Sequence, residues 1–209
     1  MLNNASHFRG LLRHTLCSSQ RRYFIPIILS MTCLTDIPRD TIPFPMLPKP
    51  LTAPDGVRWF AQAYCFSWDV QVFDTDAYGV MWHGAITKWL EQGRVDWLKQ
   101  AGIALIDPHR PPTPEDNHPC PYIFPVTHQQ VVYKAPARLH DTLRLSTWVG
   151  ITKNRWQFVQ QTHRLGADNT ETLTIAAITE CATLDLNWRP IRAIPETLVT
   201  FIDERLRPA

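Results

Sequence analysis

Two aspartates one residue apart, Asp74 and Asp76, stand before Gly79, a Trp82-His83 pair and a helix-forming run in FDTDAYGVMWHGAITKWLEQGRVDWL, residues 73 to 98. A carboxylate held beside a turn can attack a carbonyl or take a proton from water. The first turn of a helix has amide N–H groups with no partner inside the helix and lies at the positive end of the dipole. It can therefore stabilise charge developing on a carbonyl oxygen. Together the two features suit cleavage of a reactive acyl bond without a Ser-His-Asp triad. No Gly-x-Ser-x-Gly stretch occurs, which argues against an α/β-hydrolase.

These residues need elements to position them. Residues 64 to 73 alternate, with Tyr64, Phe66, Trp68, Val70 and Val72 on one face and Ser67, Asp69 and Gln71 on the other, the pattern of a half-buried strand. From 84 to 101, Ile86, Trp89, Leu90, Gly93, Trp97 and Leu98 recur at helical spacing, and Gly102 supplies a stop. Gly93 lies on that stripe, so the helix is expected to press closely against a curved sheet. Trp82, Trp89 and Trp97 fall at helix spacing and read as core, with Trp82 and Tyr78 alternatively lining a pocket. Four more strands are expected over 126 to 133, 141 to 151, 155 to 165 and 171 to 186. Lys153-Asn154 and Gly166 to Asn169 turn the last three into consecutive hairpins. Pro195 opens a short closing helix. Strand, long helix and then a run of antiparallel strands define an α+β domain, one sheet wrapped on one helix.

The chain has 209 residues and a formal charge of +2, enough for one cored domain with extensions and without the basic run that a nucleic-acid partner would want. Five scattered cysteines, Cys17, Cys33, Cys65, Cys120 and Cys181, contain no Cys-x-x-Cys pair; they read as free thiols in a reducing compartment, with no zinc site. No apolar run reaches the roughly 20 residues of a membrane span. Residues 1 to 57 read as an N-terminal extension and Pro-rich linker without regular structure. Its start carries Arg9, Arg13, Arg21 and Arg22 and no acidic residue before Asp36. That composition suits an organelle transit peptide, a short secretory signal, or a start codon placed too far upstream, with Met31 or Met46 as the true one. The cytoplasm is the expected compartment, an organelle the alternative. The domain is expected over 58 to 209, interrupted by a second Pro-rich stretch at 104 to 125 that reads as a loop, lid or tolerated excursion.

The register Asp74-x-Asp76-x-x-Gly79, then His83, then a helix bearing Glu91-x-x-Arg94, resembles the signature of the 4-hydroxybenzoyl-CoA thioesterase family of the hotdog fold. YKAPARLHDTLRLSTWV (133 to 149) and NWRPIRAIPETL (187 to 198) resemble the family's later landmarks. The resemblance spans roughly 62 to 206. It implies a homodimer or homotetramer that hydrolyses an acyl-CoA thioester, with neither metal nor organic cofactor. It puts Asp76 as nucleophile or general base, and oxyanion donors at the helix start around Gly79, Trp82, His83 and Gly84. His83 would act through its backbone amide, with its side chain as acid or packing residue. Glu91 is the possible second carboxylate, in the manner of another hotdog branch; otherwise it pairs with Arg94 or Arg138. Lys134, Arg138 and Arg155 are candidates for the phosphates of CoA. The residues alone leave Asp76 open as a plain turn or helix cap, and Asp74 suits a turn-structuring role. A thioesterase acting on acyl carrier protein, a dehydratase and a non-catalytic acyl-binding hotdog are the alternatives. The aliphatic or aromatic nature of the acyl group stays open. Tyr78 stands where close relatives often have Gly, and the 104 to 125 insertion is longer than the family pattern.

Overall fold

The structure is a computed structural model, and it describes residues 45–60, 63–103 and 122–206. The elements are β1 (Arg58–Trp59), β2 (Tyr64–Asp69), α1 (His83–Gln100), β3 (Tyr122–Ile123), β4 (Val126–Tyr133), β5 (Thr142–Ile151), β6 (Arg155–Leu165), β7 (Glu171–Ala182), β8 (Leu184–Asp185) and α2 (Glu196–Leu206). β5, β6, β7 and β4 lie side by side, and β1 and β2 share the other edge of β5. All pairings are antiparallel. β3 and β8 form a separate two-stranded ribbon.

One face of this sheet wraps α1. The stripe expected from the sequence is the buried one, with Ala85, Ile86, Leu90, Gly93, Trp97 and Leu98 turned inward. Gly93 is where sheet and helix come closest. A Cβ there would stand 2.5 Å from Leu145 Cδ2 and 2.8 Å from Thr147 Oγ1, so only glycine fits without a shift. Beside it the buried Gln160 amide donates to the Leu90 carbonyl at 2.8 Å, which satisfies a polar side chain the core could not otherwise hold. Towards the helix C-terminus the core turns aromatic. Trp97, fully buried, meets Phe60 at 5.3 Å between ring centroids and Trp156 at 6.2 Å. α2 closes this end with Leu198, Val199, Ile202 and Leu206.

The other face of the sheet is covered by the chain's own upstream segment. Leu51 (4% exposed) packs with Trp148, Val159, Ala176 and Ile178. Gln161 Nε2 holds the same segment by donating to the Met46 carbonyl at 3.1 Å. Residues 45 to 57 thus have no helix or strand, as the prolines require, yet they contribute to the core.

Several expectations shift. The strand expected to reach 73 ends at Asp69, because Val70 bonds out to Asp141 and Val72–Asp74 form a 3-10 turn. The last strand, expected over 171 to 186, breaks at Thr183, and its tail turns aside to pair with β3. Most of the Pro-rich stretch at 104 to 125 lies outside the described residues, as does the basic start of the chain. Among the described residues no helix is long and apolar enough to cross a membrane.

Candidate active site

The DTDAYG segment is a tight loop in which each aspartate has a different task. Asp74, 1% exposed, accepts the Gln71 amide on its carboxylate at 3.1 Å, and its carbonyl accepts the Trp82 amide at 3.0 Å. The first bond closes the 3-10 turn on itself and the second ties that turn to the start of α1, which fits the turn-structuring role. Asp76, two residues on, is exposed. Its backbone pairs with Val80 (N to O, 2.9 Å), and Gly79 at φ +71 closes the turn by donating to the Asp76 carbonyl at 3.0 Å. A β-carbon would be strained at that φ, hence the glycine. Asp76 Oδ1 accepts the amides of Tyr78 at 2.8 Å and Val80 at 3.3 Å. Those two bonds fix the carboxylate's direction, and its second oxygen has no protein donor among the described residues.

The loop is anchored from outside as well. Met81 donates to the Ala137 carbonyl at 2.8 Å, and Val80 bridges to Arg138. This delivers the chain into α1 with Trp82 as its N-cap residue. Trp82 has no oxygen to offer, and no side chain caps the helix. The first intrahelical bond is from Ile86 to the Trp82 carbonyl at 3.2 Å. The amides of His83, Gly84 and Ala85 therefore present open donors at the positive end of an 18-residue helix. The Trp82 indole folds over this turn. Its Nε1 donates to the Phe73 carbonyl at 3.3 Å, and its ring stands edge-on to His83 at 5.5 Å. A Cβ on Gly84 would meet that ring at 2.0 Å, so Gly84 makes the indole's position possible. Trp82, expected in the core, is 40% exposed, because its place precedes the first turn and its ring stacks on the helix end.

Phe73, Thr75, Asp76, Met81, Trp82 and His83 line an open cleft of about 570 Å³. A second, mostly apolar cavity of about 340 Å³ shares Met81 and is walled by Val80, Ile86, Tyr133, Lys134, Ala135, Pro136, Ala137 and Ile175. Tyr78, at 87% exposure, lines neither. Phe73, Thr75 and Met81 were not legible as site residues. Phe73 in particular reads as part of a strand and reaches the cleft only because the strand stops early.

Of the remaining candidates, the structure gathers some and separates others. Lys134 lines the second cavity, and Arg138 adjoins the loop through Val80. Glu91 lies eight residues along the helix from His83, about 12 Å away, and outside the cleft lining. Its carboxylate is taken up by Arg94, whose Nε donates at 2.8 Å while its Nη1 reaches the Phe124 carbonyl at 3.2 Å. Arg155 stands at the far end of the sheet, bonded to Glu180 at 2.9 Å and Thr127 at 3.0 Å. Thr127 and Lys134 are separated by the length of β4, about 23 Å at strand rise, so Arg155 and Lys134 do not share a site. The two described cysteines, Cys65 and Cys181, are free. Burial pushes the Cys181 thiol up to about 11, and it raises Cys65 as well, so both are poor nucleophiles at neutral pH.

An antiparallel sheet wrapped on one long central helix is the hotdog arrangement, and solved structures share it. A 1,4-dihydroxy-2-naphthoyl-CoA thioesterase from Synechocystis superposes with a TM-score of 0.55 at 17% identity, covering 70% of this chain and 99% of that one. A 4-hydroxybenzoyl-CoA thioesterase variant bound to 4-hydroxybenzoyl-CoA gives 0.55 at 12% identity over 67% and 98%. At these identities the likeness establishes the fold. The sequence carries the relationship further. Residues 70–202 match the thioesterase-like superfamily, and the chain belongs to that family. It is also 31% identical over 140 residues to the acyl-CoA thioester hydrolase YbgC of Escherichia coli strain CFT073, covering 64% of this chain and 92% of that protein.

Proposed function

We propose that the chain hydrolyses acyl-CoA thioesters, with Asp76 as nucleophile or as general base on water and with the first-turn amides of α1 around His83 polarising the thioester carbonyl. The observation that carries this is the cleft itself. An exposed carboxylate, oriented by two backbone amides, and an uncapped helix N-terminus open on the same space. Attack on the carbonyl carbon moves charge to its oxygen, which the helix amides would stabilise, and the C–S bond then breaks to release CoA as a thiolate. Where water attacks, Asp76 takes its proton; where Asp76 attacks, water then cleaves the resulting acyl–aspartyl anhydride. A thioester is reactive enough for this set to serve. The apolar cavity behind Met81 suits the acyl group, and Lys134 and Arg138 remain candidates for the phosphates of CoA.

A second copy of the chain belongs to the proposal. Among the described residues nothing pairs with the outer edge of β4, and Val72, Phe73, Tyr78, Trp82 and Tyr133 are exposed apolar groups around the site. A dimer joined along β4, or a tetramer of such dimers, would cover them.

The test is thiol release over a panel of aliphatic and aromatic acyl-CoAs, comparing wild type, Asp76→Asn and Glu91→Gln, each checked for folding. Loss of about 10²- to 10⁴-fold in kcat for Asp76→Asn alone is the expected result. A dead Glu91→Gln with an active Asp76→Asn would move the chemistry to the helix carboxylate. No release from any acyl-CoA by the folded wild type would favour a carrier-protein substrate or a binding module.

A further inference from the structure

Lys88 lies on α1 one and a half turns beyond His83 and belongs to none of the features used so far. Its ammonium sits 5.4 Å from the centroid of Phe73 and 5.0 Å from that of Trp89. Phe73 is also a wall of the Asp76 cleft, so one ring touches both the cleft and the cation, although Lys88 is not itself part of the cleft lining. The other helix cations are neutralised on their own element. Arg94 pairs with Glu91, and Lys99 with Asp96 at 3.4 Å. Lys88 has no carboxylate partner among the described residues, and its side chain is exposed. Two aromatic faces hold a cation by their quadrupoles without cancelling its charge. A flexible side chain is thereby positioned while its positive field stays available to a ligand.

We propose that Lys88 binds an anionic group of the substrate, namely phosphate of the CoA carrier, and so positions the thioester at Asp76. This rests on the thioesterase reading above. The location favours the carrier over a carboxylate on the acyl group. An acyl group gains from leaving water, whereas Lys88 is exposed and outside the cleft lining, where a phosphate keeps most of its hydration. The charge also offsets the repulsion between Asp76 and a polyanionic substrate.

The experiment compares one acyl group carried on CoA and on pantetheine, which has the same thiol arm and no phosphate. The enzymes are wild type, Lys88→Gln and Lys88→Arg. The expected result for Lys88→Gln is a fall of about three- to tenfold in the ratio of kcat/KM, CoA over pantetheine, carried by KM and recovered by Lys88→Arg. The wild-type preference for CoA should weaken with salt, and more steeply than that of Lys88→Gln. An unchanged ratio would overturn the proposal. So would an equal loss on both carriers, which would mark Lys88 as a support for Phe73 and Trp89 only. A ratio that falls solely for acyl groups bearing their own carboxylate would assign the charge to the acyl end, against the proposal. Should the wild type hydrolyse neither substrate, the hydrolase reading fails separately. Free CoA binding by calorimetry then decides: a three- to tenfold weaker Kd in Lys88→Gln supports the contact, and an equal Kd refutes it.

Discussion

At its C-terminal end α1 buries Trp97 and Leu98 completely among Phe60, Trp156 and Phe158, stops at Gly102 with φ +75, and is roofed by α2. At its N-terminal end the same helix has no capping side chain, an exposed carboxylate opposite, and an indole resting on a glycine. One end is closed by packing; the other keeps its strongest donors open. A helix held firmly at one end can leave unsatisfied amides at the other, because the packing supplies the stability that a cap would otherwise add, typically about 1 kcal/mol. In the proposed reaction the open end would be pre-organised, with no energy needed to arrange it when charge develops on a substrate.

Substitutions can break this contrast from either side. Trp97→Ala should be the severest for stability, at about 3–5 kcal/mol, seen as a lower urea midpoint with the rate per folded molecule retained. If activity per folded molecule fell as far as stability, the two ends would not be separable. The same change, glycine to alanine, then distinguishes positions nine residues apart. Gly93→Ala forces a methyl against Leu145, Thr147 and Gln160 and should cost about 1–3 kcal/mol with kcat/KM little altered. Gly84→Ala displaces the Trp82 indole instead; it should leave the melting point within a few degrees and lower kcat/KM about tenfold, or 1.4 kcal/mol. A stable, fully active Gly84→Ala would remove Trp82 from the site's architecture.

The smallest effect concerns a residue outside both ends. Burial lowers the pKa of His163, whose Nδ1 is buried without a hydrogen-bond partner. The unfolded chain regains the ordinary value of 6.5 and so binds more protons as the pH drops. The neutral imidazole's contribution is present above that value and is lost as pH falls through the lower folded one. Urea midpoints from pH 7.5 to 5 should fall more steeply for wild type than for His163→Gln; parallel lines would show that the site carries no such linkage.

The fold was legible wherever a period had room to repeat. The strands over 126 to 133 and 155 to 165 fall at the expected bounds, and the buried stripe of α1 came from helical spacing that packing then honoured. Two-residue strands such as β1, β3 and β8 are too short to show any period. The end of β2 depended on Asp141, about seventy residues away, and so was invisible locally. At the site, the pairing of Asp76 with the helix start lies within ten residues and could be read directly. Phe73 and Lys88 could not, because the ring meets the cation only after the strand stops short and the helix turns back over it. Nor could composition reveal that one leucine from a Pro-rich stretch would pack on the back of the sheet.

That leucine sets an order of events during synthesis. Gln161 grips Met46 across a separation of 115 residues, and Leu51 rests on β7, which lies further still along the chain. At 5–20 residues per second, the strap waits roughly 6 to 23 s on the ribosome before the surface it covers has been made. It is among the first parts of the described chain to emerge and must be among the last to dock. Through that interval the nascent chain holds its own cover in reserve, and the time available for a chaperone to engage the bare sheet is written into the spacing between Met46 and Gln161.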